Sequence, residues 1–291
     1  MRNRSRLSYY LHKYILIPLQ IFRISIIDTI RHDGIEHAGY LAFLSILSLF
    51  PSLIFLIMIV GFFGASDAGT HLINKLLAVA PKEITLALTP RINEITDGPE
   101  QSFLTIAIIG VIWTASSSVE GCRTILNRAY RVAFPPPYAW RRFISIIEFF
   151  VIIFAMVSGI VIFVVVPNLL RELHLSVHVD VDVLYIRQML IFFLLTCTTS
   201  LLYYALPNVK QSITQTIPGS ILAVTLWILL VRFFEIYLTN FHQMNFVYGS
   251  LAGIIAALML FYLISLIFIF GAEFNYHFHR TYQVFLKPNE E

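Results

Sequence analysis

Charge is what this chain has least of. Asp, Glu, Lys and Arg make up 13% of its 291 residues, where soluble domains carry about 25%. A water-exposed catalytic domain as the main body of the chain is excluded on that ground. Cysteine is nearly absent: Cys122 and Cys197 are the two in the sequence, both in or beside apolar stretches, which leaves neither a disulfide framework nor a thiolate metal site. The signatures of soluble-enzyme chemistry are missing as well. There is no Gly-rich phosphate loop with Lys and Ser/Thr, no HExxH, no GxSxG and no zinc spacing. The acidic residues are scattered, not clustered as a divalent-metal nuclease requires. We therefore expect no enzyme, no cofactor, no metal and no nucleic-acid partner. His174 and His178 stand four apart, but no acid nearby is placed to complete a metal site with them. The basic start, MRNRSR, is followed by amphipathic sequence without the compact apolar region and cleavage site of a signal peptide.

What the chain has is hydrophobic length. It is 58% hydrophobic with mean hydropathy +0.78 and 25 Phe. The stretch from Leu251 to Phe270 carries no charge and only Tyr262 and Ser265 as polar residues. At about 1.5 Å per residue it is long enough to cross a hydrocarbon layer of about 30 Å. Five further stretches repeat the pattern. The expected architecture is an all-α polytopic bundle with six transmembrane helices, at about 35–63, 101–121, 143–167, 183–206, 218–238 and 249–273. Together these form a membrane domain over 35–276. Residues 1–34 read as a basic amphipathic helix region in the interface, with a helix packed on its own bundle as the alternative. Residues 64–100 read as an outer amphipathic loop and 277–291 as a tail. Pro51, near the middle of the first span, predicts a kink, as a hinge or as a fixed bend, with Ser45, Ser48 or Ser52 available to satisfy freed backbone.

Lys and Arg set the orientation. Arg2, Arg4, Arg6, Lys13, Arg23, Arg31, Arg123, Arg128, Arg131, Arg141, Arg142, Lys210, Arg280 and Lys287 fall on one side; Lys75, Lys82, Arg91 and Arg171 fall on the other. Both termini are expected in the cytoplasm of a multi-pass inner-membrane protein.

Two cations remain inside spans. Arg232 lies about 21 Å along its helix from Pro218, with Glu235 three residues on and within pairing reach. Arg187 lies near the outer start of the fourth span, whose hydroxyl run includes Thr196 and Thr199; Ser116 and Ser117 lie in the second. If these faces converge they line a net-positive cavity suited to an anionic solute or lipid headgroup. In the other reading Arg232–Glu235 is a structural bridge and the hydroxyls satisfy helix carbonyls. Glu36 and Glu148 sit in first turns, where helix dipoles explain them. Glu273 sits near a helix C-terminus and calls for a basic partner such as Arg123 or Arg128. Gly249, Gly253, Ala256 and Ala257 permit close packing within a subunit or in a homo-oligomer.

Four pieces carry a family resemblance: AGYLAFLSILSLFPSLIFL from Ala38, IWTASSSVEGCRTILNRAY from Ile112, YYALPNVKQSITQTIPGSILAVTLW from Tyr203, and YGSLAGIIAALMLFYLISLIFIFGAEFNY from Tyr248. In this order and spacing the chain resembles the YihY/virulence factor BrkB family of bacterial inner-membrane proteins. The resemblance implies six helical spans and a virulence association but no settled activity. A tRNA-processing ribonuclease label attached to some members finds no nuclease site here, and transport of envelope lipids fits the cavity reading. By position, Trp113, Ser116, Ser117, Arg123, Asn127, Arg128, Pro207, Asn208, Pro218, Gly219, Trp227, Tyr248, Gly249, Gly271, Glu273 and Asn275 match the family pattern. Arg123, Asn127, Arg128, Pro207, Asn208, Pro218, Gly219, Glu273 and Asn275 gather at the cytoplasmic side, as a gate or an assembly surface. Glu120 departs from the pattern and is expected to pair locally, beside Arg123.

The reading is a transporter or permease of an anionic solute or amphiphilic lipid, in contact with anionic headgroups. A non-catalytic envelope scaffold is the alternative.

Overall fold

The computed structural model describes residues 17–64, 101–172, 181–240 and 251–286, and over them the chain is helical with no strand. In order the helices are α1 (Ile17–Arg31), α2 (Gly34–Gly64), α3 (Gln101–Ala129), α4 (Tyr138–Glu172), α5 (Val181–Ala205), α6 (Ile213–Asn240) and α7 (Leu251–Leu286). The expected outer loop, His174, His178, Tyr248, Gly249 and the last residues of the tail lie outside the described residues.

Among the described residues three stretches, Gln188–Ala205, Ile213–Tyr237 and Gly253–Thr281, are long and apolar enough to cross a membrane, and Gly34–Leu49 is a shorter apolar helical stretch. Their outward faces carry large apolar side chains in the open, among them Phe193, Phe233, Ile236 and Ile254. A water-soluble chain would bury such a surface; a lipid solvent does not require it to.

The chain divides into two compact units. One gathers residues 1–44, 121–136 and 192–291; the other gathers 45–120 and 137–191.

In the first unit α1 and α6 both pack on α7. Pro18 lies in the first turn of α1, where a missing N–H costs no helical bond. Ile17, Ile21, Ser25 and Thr29, spaced by four, form the buried stripe of that helix, and Phe22 meets Phe270 of α7 edge-on at 5.2 Å. The α1–α2 turn is closed by His32 N–H on the Asp28 carbonyl at 2.9 Å, with Asp33 in the left-handed region at φ 57°. Asp tolerates that conformation better than most residues.

Helices α6 and α7 approach at two glycines. A Cβ on Gly219 would run into the Gly271 carbonyl, and one on Gly271 would meet the Tyr203 hydroxyl and the Ala223 side chain. Tyr203 of α5 closes this contact from the side: its hydroxyl donates to the Phe268 carbonyl at 2.6 Å, and its ring stacks on Phe268 at 4.9 Å. Trp227 stacks on the same ring at 6.4 Å and donates its indole N–H to the Ile264 carbonyl at 3.0 Å. Small residues let two backbones touch, and the aromatic side chains fill the flank.

In the second unit Pro51 lies inside α2, which continues to Gly64. The Ser48 hydroxyl donates to the Ser45 carbonyl at 3.1 Å; the carbonyl a helical proline leaves free is the one four residues back, that of Leu47. Helices α3 and α4 are joined through Arg142, whose guanidinium lies over the Trp113 ring at 4.3 Å and donates to the Trp113 carbonyl at 2.5 Å. Pro135, Pro136 and Pro137 carry no regular structure, and the Pro137 carbonyl accepts the Trp140 and Arg141 amides that open α4.

Candidate functional site

A bonded polar region of the first unit is built by α1, the end of α3 with its following turn, the start of α6 and the second half of α7. Helix α3 ends in a six-to-one and five-to-two pair of backbone bonds: Val132 N–H to the Asn127 carbonyl at 2.8 Å and Arg131 N–H to the Arg128 carbonyl at 3.1 Å. This is a Schellman ending, and its left-handed position is held by Arg131 at φ 59° where glycine is usual. The unusual residue has a use. Arg131 forks onto Glu273, Nη1 to Oε1 at 2.9 Å and Nη2 to Oε2 at 2.8 Å, and reaches Asp28 Oδ2 at 3.3 Å. Its guanidinium also lies 4.6 Å from the centre of the Tyr276 ring. Glu273 is buried, with 1% of its side chain exposed against 25% for Arg131. Burial alone would push the Arg131 pKa down, but the hydrogen bonds and charge of Glu273 outweigh it and hold the guanidinium above its ordinary value.

Two histidines complete the region. His277 Nε2 lies 2.9 Å from Asp28 Oδ2, and His32 Nδ1 lies 3.6 Å from Glu273 Oε1. Beside them is a cleft of about 10 Å³, lined in part by Thr29, His32, His37, Arg128 and Glu273, with room for roughly one water molecule.

The connector does supply the partner of Glu273, but the partner is Arg131 and not Arg123 or Arg128. Arg123 is buried and donates to the Leu206 carbonyl at 3.0 Å, just past the end of α5, where a cation also complements the helix dipole. Arg128 turns the other way, onto Asp33 and, at 3.3 Å, His37. Glu120 pairs with Arg141 at 3.3 Å and accepts the Ser145 hydroxyl at 2.9 Å, all within the second unit.

Most of the remaining motif residues come together in pairs. Asn127 and Asn208 exchange two bonds, Asn208 N–H to Asn127 Oδ1 at 2.7 Å and Asn127 Nδ2 to Asn208 Oδ1 at 3.0 Å. Pro207 sits in the same turn. Pro218 lies inside α6, and Asn275 serves the backbone around it. Its Oδ1 accepts the Gly219 N–H at 2.6 Å, and its Nδ2 donates to the Thr216 carbonyl at 3.0 Å. One side chain thus supplies an acceptor and a donor to a helical turn that a proline interrupts.

The substrate-site candidates are arranged differently. Arg232 and Glu235 face each other on α6 at 3.4 Å, with 68% and 62% of their side chains exposed. Thr196 and Thr199 donate to the carbonyls of Phe192 and Leu195, each four residues back at 2.8 Å. Ser116 and Ser117 both donate to the Trp113 carbonyl, and Ser117 also accepts from Arg142 at 3.1 Å. Ser116, Ser117 and Arg187 belong to the second unit; Thr196, Thr199, Arg232 and Glu235 belong to the first. Asp28, His32, Arg131, His277 and Arg142 were not singled out from sequence. The available signal was a carboxylate and a histidine four apart at 28/32 and again at 273/277.

Comparison with known proteins agrees with the helical, apolar character. The family model described as virulence factor BrkB matches residues 27–291. The protein of Bacillus subtilis (strain 168) named "Putative ribonuclease-like protein YfkH" is 28% identical over 258 residues, covering 86% of this chain and 91% of the relative. A UPF0761 membrane protein of Aeromonas salmonicida (strain A449) is 39% identical over 82 residues, 28% of each chain. No solved structure matches.

Proposed function

The chain belongs to the virulence factor BrkB family, and from that premise we propose that this membrane protein is a multi-pass permease of the bacterial inner membrane. It crosses six times with both termini in the cytoplasm and moves a molecule with an anionic group, a small solute or the headgroup of an envelope lipid. One observation carries the reading. Arg232 and Glu235 stand exposed on α6 within an otherwise uncharged stretch long and apolar enough to cross a membrane. Charged residues within a membrane face protein, water or a polar ligand, because hydrocarbon solvates them poorly. Arg232 is the cation for the anionic group, and Glu235 is the counter-charge that holds it between transport events.

A second reading, a non-catalytic scaffold for envelope assembly, is favoured by the hydroxyls. Thr196, Thr199, Ser116 and Ser117 are bonded to carbonyls of their own helices and act there as structural groups.

Proteoliposomes separate the two readings. A fluorescent phosphatidylglycerol, its zwitterionic phosphatidylcholine counterpart and an entrapped anionic dye are each followed for translocation by chemical quenching. The permease reading expects flux of an anionic probe above protein-free liposomes, lost in Arg232→Gln at unchanged melting temperature and partly kept in Arg232→Lys. No flux of any probe, or an Arg232→Gln variant as fast as the wild type, overturns it.

A further inference from the structure

Asp28 lies on α1 and His32, four residues on, stands just past its end with its N–H still on the Asp28 carbonyl, while Glu273 and His277 are four apart on α7. Spacing by four puts each pair on one helical face, and the packing of α1 on α7 turns the two faces toward each other. Asp28, His32 and Glu273 each present a ligand atom within 4.8 Å of the others, and His277 joins through Asp28 at 2.9 Å. We infer that these four side chains form a site for a divalent transition-metal ion, which bridges α1 and α7 and competes with the Arg131 guanidinium for Glu273.

Three features support this. The His32 Nδ1 atom is buried and has no hydrogen-bond partner, although it faces a carboxylate 3.6 Å away. Buried polar atoms are ordinarily bonded, and a cation shared with the facing carboxylate oxygen would satisfy this one. The spacing is also suitable. Two ligands of a tetrahedral ion at about 2.1 Å each lie about 3.4 Å apart; the His32–Glu273 separation is close to that, and His277–Asp28 needs to open by a few tenths of an ångström. Third is charge. The two carboxylates of Asp28 and Glu273 face one guanidinium, that of Arg131. Two imidazoles with two carboxylates suit zinc, cobalt, iron or manganese better than calcium or magnesium. Arg131 is the only obstacle among these groups, and it sits on a turn with a quarter of its side chain exposed, so it can withdraw toward solvent as the ion enters.

The inference does not rest on the transport reading, and its test does not read flux. The full chain, purified in detergent and stripped of metal, is titrated with Co²⁺ and followed by its visible absorption, then with Zn²⁺ in competition. One ion per chain is expected, with the intense bands of a four- or five-coordinate site. His32→Ala and His277→Ala each weaken binding by at least about tenfold, a difference of about 1.4 kcal/mol. His279→Ala, which alters another histidine on the same helix, leaves binding unchanged. Arg131→Gln tightens it, and Co²⁺ raises the melting temperature of that variant more than that of the wild type. Absence of saturable Co²⁺ binding by the wild-type chain overturns the inference whether or not any variant folds. So does binding that survives both histidine substitutions, or that Arg131→Gln weakens.

Discussion

Replacing Arg131 by glutamine leaves the Glu273 carboxylate in place with its main counter-charge gone, and the geometry sets the size of the effect. Glu273 has 1% of its side chain exposed and takes two bonds from Arg131 at 2.8 and 2.9 Å. Without them the ion-pair partner left to it among the described residues is His32 at 3.6 Å. Removing one partner of a buried ion pair costs about 3–5 kcal/mol. Arg131 is itself a quarter exposed, which lets water approach the stranded carboxylate, so the lower end applies and we expect about 3 kcal/mol. The reverse change is milder. In Glu273→Gln the guanidinium keeps Asp28 at 3.3 Å and access to solvent, and loss of a charged hydrogen bond costs about 1.5–3 kcal/mol, so about 1.5 kcal/mol is expected. The double variant, with two neutral amides face to face, should lose about 1–2 kcal/mol, well short of the sum. Denaturant titration in detergent and metal-free buffer, followed by tryptophan fluorescence, measures all four corners of this cycle. An Arg131→Gln midpoint equal to the wild type, or a double variant that loses the sum of the singles, refutes the reasoning.

Three further outcomes are expected from the same assay. Arg131→Gly should be less destabilising than Arg131→Ala by about 1 kcal/mol, because both lose the ion pair but only glycine relaxes at φ 59°; equal losses would show that the turn stores no such cost. Gly219→Ala should cost about 3 kcal/mol, since its Cβ meets the backbone carbonyl of Gly271. Gly253→Ala, with nothing within 4 Å of the new methyl, should be neutral or stabilising, and the contrast fails if both behave alike. Asn275→Leu should cost about 2–4 kcal/mol, because the Gly219 N–H and the Thr216 carbonyl lose their bonds at a buried turn; a loss below about 0.5 kcal/mol would show that Pro218 needs no such support.

Helices were legible in this sequence because their signal is local. Twenty uncharged residues from Leu251 to Phe270 announce a long apolar helix without reference to anything else, and Gly34–Gly64 and Val181–Ala205 begin within two residues of where their apolar runs do. Helix ends were harder. Helix α7 runs on to Leu286, past the polar residues after Ala272, because Glu273, Asn275 and His277 each find a partner within the fold. From composition alone the apolar span ends near Glu273 and a tail begins at 277. Helix α3 similarly continues through Arg123 and Asn127, since their polar groups bond to the Leu206 carbonyl and to Asn208.

The cluster itself was half legible, and the missing half has one physical origin. That a buried Glu273 needs a cation follows from the cost of burying a carboxylate; the helix dipole, expected from sequence to disfavour it, has no part, because α7 runs on to Leu286. Which cation does not follow, because three arginines lie within nine residues on the connector. The choice is made by the left-handed ending of α3: a residue at that position points away from the helix it terminates, so Arg131 reaches α7, while Arg123 and Arg128, still helical, point to the α5 terminus and to the α1–α2 turn. Sequence rules expect glycine at such a position, and an arginine there gives no local sign of its conformation. The i,i+4 pairs were visible one helix at a time, yet a carboxylate four residues from a histidine is ordinary on any helix. Their meaning depends on α1 packing against α7, a contact between residues about 250 apart in sequence. Pairing the four ligands with the arginine that competes for one of them makes the cluster specific, and it ties the fate of the bound ion to a single left-handed residue. Arg131→Ala together with Val132→Ala should therefore remove the Glu273 pair without touching any proposed ligand. Co²⁺ affinity should rise as it does in Arg131→Gln; a fall would mean that the turn, and not the arginine alone, holds α7 in register with α1.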